Sequence, residues 1–159
     1  MIRNIAAADF DFIYGLYMHP SINPFLLYEQ MGKEAFTPIF TDLLSKNIIF
    51  IFSTDGNDTG MFKFIKQEHR NSLTAYLGGL AIHPSFTGKG YGAQMMEEII
   101  ELGKKMGIGR IELSVAVVND KAIALYEKMD FEKEGVLRKY TYLKSEGRVI
   151  DEVLMSYLY

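Results

Sequence analysis

The feature that most constrains this chain is residues 80–93, which pass from an apolar strand through a proline and three glycines into an amphipathic helix. Gly88, Gly90 and Gly92 let the backbone turn tightly and bring its N–H groups close to a ligand. The start of the following helix adds unpaired N–H groups and a partial positive charge. Together these features predict a site for a phosphate or pyrophosphate, and Lys89 adds a full charge at its rim.

A glycine-rich loop is weak evidence by itself, so other interpretations have to be weighed. A Walker A loop requires Ser or Thr after Gly-Lys, and here Gly90 follows Lys89. A dinucleotide-binding fingerprint follows the first strand of its fold, whereas about 70 residues and three predicted strands precede this loop. These residues alone do not exclude a third interpretation, in which the loop is a plain turn that only joins a strand to a helix.

Apolar periodicity and turn residues predict the elements around the loop. One helix over residues 10–18 has Asp9 as its N-cap, and a second follows Gly32. A third follows the glycine loop and ends at Gly107, and a fourth carries Ala122, Leu125, Tyr126 and Met129. The strands are predicted over residues 1–6, 48–52, 61–66, 73–82, 111–118, 131–141 and 148–158. This order predicts an α/β (α+β) fold, with one mixed sheet of about seven strands and helices on its faces.

Composition excludes several classes of function. A chain of 159 residues suits one domain over 1–159, and the lack of cysteine excludes disulfides and thiolate chemistry. The net charge of −3 argues against a nucleic-acid partner. The apolar run 48–52 is too short to span a membrane, and no signal peptide precedes it, so a cytoplasmic protein is expected. The three histidines lie too far apart in the sequence to predict a metal site.

The loop also carries a resemblance to a known family. Residues 87–92 (Thr-Gly-Lys-Gly-Tyr-Gly) resemble the cofactor-binding motif of the GNAT N-acyltransferases, Gln/Arg-x-x-Gly-x-Gly/Ala after a strand and a proline. Thr87 departs from the motif, which has Gln or Arg at that position. The departure removes a side-chain contact to the phosphates and leaves the backbone amides in place.

A second motif downstream strengthens the resemblance. Residues 119–131 are similar to the GNAT pattern Asn-x-x-Ala-x-x-Leu-Tyr-x-x-x-Gly-Phe, with Asp130 in place of the glycine. Without a family context, Asn119 would be interpreted as a helix N-cap and Tyr126 as a core aromatic. A third, looser match covers residues 147–155, and the specific resemblance spans about 72–158.

The resemblance implies a fold, a cofactor and site residues. GNAT proteins have a mostly antiparallel, twisted sheet, and their fourth and fifth strands splay apart around the pantetheine arm of acetyl-CoA (coenzyme A). By similarity, the residues expected to bind the cofactor are Leu80, Ile82, Thr87, Gly88, Lys89, Gly90, Tyr91, Gly92, Asn119 and Tyr126. The Leu80 N–H is expected to polarise the acetyl carbonyl, and Tyr126 to protonate the departing thiolate.

The resemblance also implies an N-acetyltransferase acting on a primary amine, in a small molecule, an amino acid or a protein N-terminus. The acceptor and the oligomeric state stay open, with a homodimer among the alternatives. The general base is open as well, because Tyr76 stands where family members often place a glutamate. Glu68, His69, His83 and Glu112 are the candidates. The missing glutamate, together with Thr87, motivates a second hypothesis, an acyl-CoA-binding module without activity.

Overall fold

A computed structural model describes residues 1–159, which form one seven-stranded sheet and five α-helices. The strands are β1 (Ile2–Asn4), β2 (Ile49–Thr54), β3 (Asn57–Lys66), β4 (Thr74–Ile82), β5 (Arg110–Ala116), β6 (Glu132–Leu143) and β7 (Arg148–Leu158). The helices are α1 (Phe10–Met18), α2 (Asn23–Leu26), α3 (Lys33–Lys46), α4 (Tyr91–Lys105) and α5 (Asp120–Lys128).

The strands lie side by side in the order β1-β2-β3-β4-β5-β7-β6. The pairing of β4 with β5 is parallel and every other pairing is antiparallel. This arrangement confirms the predicted mixed, mostly antiparallel sheet with helices on its faces. Because β7 inserts between β5 and β6, the last strand of the chain lies inside the sheet.

The two faces of the sheet are covered by different helices. Side chains alternate along a strand, so Ile51 and Met61 face α1 and α3, while Phe52 and Phe62 face α4 and α5. All four side chains are fully buried. Removing each from water contributes about 2 kcal/mol, so these contacts stabilise both faces of the sheet. Helices α1 and α3 pack on the β1–β4 half, which leaves the face of β5 and β7 on that side for a cleft.

The hairpin between β2 and β3 is tighter than the sequence suggested. Asp55 and Gly56 both have positive φ, 51° and 77°, which is the backbone of a two-residue type I′ turn. Such a turn leaves Asn57 free to pair with Thr54, so β3 starts at residue 57 and not at residue 61.

Two predictions about the first helices need correction. Helix α1 spans residues 10–18 as predicted, but the Asp9 carboxylate makes no capping bond to it. It accepts instead from the Ala6 N–H at 2.7 Å and from Arg3, which lowers the pKa of Asp9. The pairs His19-Pro20 and Asn23-Pro24 predict a break in regular structure. The short helix α2 forms there instead, because Pro24 lies in its first turn, where no N–H is required.

Candidate active site

The loop before α4 presents a row of backbone N–H groups. No N–H from Gly88 to Gly92 donates to a protein acceptor, whereas Ala93 and Gln94 already bond to the Gly90 carbonyl. Five consecutive amides are therefore free at the positive end of a helix of 15 residues. This is the geometry that binds phosphate groups at helix N-termini.

Backbone conformation explains why glycine is required at two of the three positions in the loop. Gly88 and Gly90 have φ of 78° and 81°, a region that other residues enter at a cost, and nothing lies within 4 Å of the position a Cβ would take. Gly92 differs, because its Cβ position lies 3.4 Å from Leu125 of α5. Gly88 and Gly90 thus shape the loop and leave open space above it, while Gly92 lets α4 pack against α5.

The side chains of the loop contribute less than its backbone. The Thr87 hydroxyl donates to the Pro84 carbonyl at 2.9 Å and stabilises the loop itself. The Lys89 ammonium lies over the Phe86 ring, 5.5 Å from its centroid, and Tyr91 packs beside the same ring. Lys89 forms no ion pair, so its charge is free to meet an anion at the loop.

The strands β4 and β5 separate after a short stretch of pairing. Their ladder covers only Thr74–Tyr76 against Arg110–Glu112. Beyond it β4 bulges, because two of its residues, Gly79 and Leu80, oppose one residue of β3. Gly79 has φ of 56° at this bulge, and its Cβ position is 3.2 Å from the Tyr17 hydroxyl. The two strands therefore diverge as the resemblance implies.

The bulge also sets the direction of the β4 backbone. Ala81 pairs with Met61, and the His83 N–H donates to the Thr59 carbonyl at 2.8 Å, so both residues bond toward β3. Because bonding direction alternates along an antiparallel strand, Leu80 and Ile82 direct their N–H and C=O groups away from β3. These groups face the gap that β5 no longer fills.

A cleft of about 270 Å³ passes through this gap. It brings together Leu80, Asn119 and Tyr126, and Ile82 and the amide loop continue from Leu80 along the chain. The remaining lining residues come from α2 and its end, from β4 and β5, from α5, and from β6 and β7: Phe25, Leu26, Leu27, Tyr76, Leu77, Gly78, Gly79, Leu113, Ser114, Val115, Ala116, Ala122, Leu125, Tyr140, Thr141 and Glu152.

Asn119 has the N-cap role that its position predicts. Its Oδ1 accepts from the Ala122 N–H at 3.2 Å, at the start of α5. Its Nδ2 makes no hydrogen bond within the protein, and the residue lines the cleft. The hydrogen bond to Oδ1 therefore orients the side-chain amide, and its Nδ2 remains a donor at the cleft.

Tyr126 is both a core residue and a cleft residue. Only 8% of its surface is exposed, and its ring packs 6.0 Å from Phe131. Its hydroxyl makes no hydrogen bond within the protein. Since every fully buried side-chain oxygen of the chain has a hydrogen-bond partner, the Tyr126 hydroxyl is not fully buried and reaches the cleft that the residue lines. Burial, with a further effect of Tyr76, raises the pKa of Tyr126, which keeps the phenol protonated.

Glu152 is a residue that the sequence interpretation did not select. It lies on β7 opposite Ala116, is 5% exposed and lines the cleft. The Thr141 hydroxyl donates to it, and no Lys, Arg or His forms an ion pair with it. A buried carboxylate without a cation is rare in proteins, which points to a functional role. Its signal in the sequence was a pair of acids, Asp151 and Glu152, within an otherwise apolar stretch of a strand between Ile150 and Val153.

The four candidate bases lie elsewhere. Glu68 and His69 are exposed at a single helical turn, and His83 lies at the end of β4, where its Nδ1 accepts from the Ser85 N–H. Glu112 accepts hydrogen bonds from Arg110 and Gln67. None of them lines the cleft. Tyr76, at the position of the missing glutamate, lies across Gly78 with its hydroxyl 3.5 Å from Ser114 Oγ.

Comparison with known proteins decides the family. The sequence model of the acetyltransferase (GNAT) family matches residues 10–131. The chain belongs to the GNAT family. Its uncharacterized N-acetyltransferase relative YoaA of Bacillus subtilis is 32% identical over 153 residues, which cover 89% of this chain and 84% of YoaA.

A second relative carries a more specific name. The [ribosomal protein bS18]-alanine N-acetyltransferase of Escherichia coli K12 is 33% identical over 82 residues, 52% of this chain and 54% of that enzyme. The alignment thus spans about half the length of this relative. A further curated N-acetyltransferase relative is also matched over about half of its length.

The fold is shared with solved structures. The spermidine N-acetyltransferase from Vibrio cholerae, solved in complex with CoA and spermine, superposes with a TM-score of 0.84 at 23% identity, over 99% of this chain and 94% of that chain. At this identity the likeness establishes the fold alone. None of the five helices of the GNAT chain combines the length and the hydropathy of a membrane-spanning segment. No group of three or more potential metal ligands occurs.

Proposed function

We propose that residues 1–159 act as one acetyl-CoA-dependent N-acetyltransferase domain that transfers an acetyl group to a primary amine. The observation that carries the proposal is the order of free backbone groups along residues 80–92. Five free amides, Gly88 to Gly92, follow shortly after the edge of β4 that β5 leaves unpaired. Leu80, on that edge, lines the same cleft as Tyr126 and Glu152.

The loop and the β4 edge would hold the cofactor. The amides of Gly88 to Gly92 would bind the pyrophosphate, with Lys89 adding charge and Thr87 stabilising the loop. The outward N–H and C=O groups of Leu80 and Ile82 would pair with the pantetheine amides. The free Nδ2 of Asn119 supplies a further donor along the arm.

The chemistry requires a neutral amine, a polarised carbonyl and a protonated leaving group. Acetyl-CoA supplies the acetyl group as a thioester. We assign Glu152 as the general base that would remove one proton from the acceptor ammonium, so that the neutral amine can attack the thioester carbonyl. The Leu80 N–H would polarise this carbonyl, and Tyr126 would donate its proton to the sulfur as the C–S bond breaks. The second proton, which the nitrogen loses once the C–N bond has formed, would restore the Tyr126 phenol. The products are the N-acetyl amine and free coenzyme A.

Glu152 also bears on the hypothesis of an inactive acyl-CoA-binding module. The glutamate missing at Tyr76, together with Thr87, motivated that hypothesis. A binding module has no use for a buried carboxylate beside the position of the thioester, and keeping one there costs free energy. The active enzyme is therefore the better proposal, and a cytoplasmic location and a homodimer stay predictions.

The test uses the purified chain with acetyl-CoA and a panel of primary amines: monoamines, polyamines, amino acids and short peptides. Thiol release above the rate without amine, with the N-acetyl product found by mass spectrometry, is the expected result. If acetyl-CoA binds by calorimetry and no amine in the panel releases thiol, the chain is a binding module and the proposal is wrong.

A further inference from the structure

The part of the cleft on the α2 side of the sheet has an unusual charge pattern. We call it the acceptor half and define it by Phe25, Leu26, Tyr76, Ser114, Tyr140 and Glu152. Glu152 is the one charged residue in the whole cleft lining, which contains no Lys, Arg or His. The side chains around it are apolar, aromatic or neutral.

The nearest cations in sequence do not enter this cleft. Arg138 and Lys139 line a neighbouring shallow depression on β6, which shares only Tyr140 with the cleft. Arg148 is paired with Glu146 in the β6–β7 turn. Asp151, beside Glu152, accepts from the Lys139 backbone N–H at 2.7 Å and adds a second negative charge nearby.

Helix α2, which contributes Phe25 and Leu26 to the acceptor half, is fixed to the rest of the fold. Asn23 is 5% exposed, and its Nδ2 donates to the carbonyls of Tyr17 and Tyr28 at 2.8 and 3.0 Å. Leu27, at the end of α2, packs against the cluster of Ala116, Leu143 and Ile150. Helix α2 is therefore held in place by contacts at both of its ends, so its apolar side chains contact the substituents beside the reacting amine.

We infer that the acceptor is a primary amine whose neighbouring substituents are uncharged, and that amines with an α-carboxylate are rejected. The inference rests on the proposed function. An ammonium group is attracted to Glu152, but a carboxylate on the adjacent carbon finds no cation and is repelled by the same residue. A free amino acid is thus a poor acceptor, whereas a monoamine or the N-terminal residue of a peptide fits.

The experiment compares three acceptors with the same phenyl side chain: phenethylamine, phenylalaninamide and phenylalanine. With saturating acetyl-CoA, the kcat/KM for phenylalanine should be at least about 30-fold below that of the other two. Phenethylamine and phenylalaninamide bracket phenylalanine in basicity, so amine protonation cannot produce the difference. A kcat/KM for phenylalanine within about threefold of the others would overturn the inference and leave the proposed function intact.

A fourth acceptor, the tripeptide Phe-Ala-Ala, separates the two sources of such an amine. Preference for phenethylamine indicates a small monoamine, and preference for the tripeptide indicates a protein N-terminus; both agree with the inference. Thiol release with none of the four acceptors, nor with the wider panel, would contradict the proposed function itself.

A variant pair tests the charge argument directly. Tyr140, at the cleft, and Tyr142, two residues further along β6, are 57% and 63% exposed. Tyr140→Arg should raise the use of phenylalanine relative to phenethylamine by about tenfold, since it places a cation beside the carboxylate. Tyr142→Arg, outside the cleft, should leave that ratio unchanged, and equal ratios in both variants would contradict the argument.

Discussion

The two halves of the proposed site are built from different parts of the polypeptide. The proposed cofactor half consists mainly of backbone groups, namely the free amides of Gly88 to Gly92 and the outward groups of Leu80 and Ile82. They come from one continuous segment, residues 80–92. The acceptor half consists of side chains, and these come from α2, β4, β5, β6 and β7.

This difference shows how each half is specified. A backbone site depends on the conformation of a few neighbouring residues, so a change acts through φ and ψ. A side-chain site depends on which elements the fold brings together, so a change acts through charge and shape at one position. Variants in the two halves should therefore separate cofactor affinity from turnover.

The largest effect is expected in the acceptor half, from Glu152→Gln. The variant removes the proposed base and keeps the shape of the side chain, so kcat at neutral pH should fall by about 1,000-fold. Affinity for acetyl-CoA, measured by calorimetry, should not change. Glu112→Gln is the control, because Glu112 lies on β5 outside the cleft lining. Equal losses in the two variants would assign the effect to general electrostatics.

In the cofactor half, Gly90→Val should weaken acetyl-CoA binding by about 100-fold, because a β-branched residue disfavours the φ of 81° that directs the amides. Gly56→Val is the matched control. Gly56 has φ of 77° in the distant β2–β3 turn, with no atom within 4 Å of its Cβ position. Both variants should lose about 1–2 kcal/mol of stability, and only Gly90→Val should lose affinity. Unchanged affinity in Gly90→Val would rule out the amide loop as the pyrophosphate site.

Tyr126 stands between the halves, and Tyr126→Phe should lower kcat by about 30-fold with little change in cofactor affinity. The effect is smaller than that of a well-matched acid, since burial raises the pKa of this phenol and weakens it as a proton donor. Tyr157→Phe is the control, because Tyr157 packs against Phe131 away from the cleft. If Tyr126→Phe turned over at the wild-type rate, another group would have to protonate the thiolate.

The smallest expected effect is on stability and concerns Glu134, a second acid that, unlike Glu152, forms an ion pair with an arginine. Arg110 bonds both of its carboxylate oxygens, at 2.7 and 2.6 Å, and lowers the pKa of Glu134 to about 2. A lowered pKa in the folded state adds stability above the ordinary value of 4.5, and this contribution is lost as the pH falls toward 2.

The pair is partly exposed, so its contribution is about 1 kcal/mol or less. Urea unfolding at pH 6 and pH 3 should show that the wild type loses more stability than Glu134→Gln. Glu132→Gln, on the same strand and without an ion pair, should behave as the wild type. A Glu134→Gln curve that follows the wild type at both pH values would contradict the assignment.

Much of the fold could be predicted from local patterns. The α1 bounds, the left-handed Asp130 with φ of 63° and the helix-ending Gly107 with φ of 70° follow from residue type and spacing. The errors have local causes too. Asp9 bonds to Ala6 and Arg3 because these donors are close to it, and Pro24 lies in the first turn of a helix where it was expected to break regular structure.

The amide loop could be recognised from the residues alone, because glycines at positive φ and the start of a helix act over a few residues. Asn119 could be recognised as an N-cap for the same reason. The acceptor half, in contrast, depends on how distant elements pack together. Glu152 faces the cleft because β7 inserts beside β5, and no pattern of neighbouring residues encodes which strands pair across 40 residues of chain. Local backbone forces can be recognised in a sequence, whereas the meeting of distant side chains depends on the whole fold.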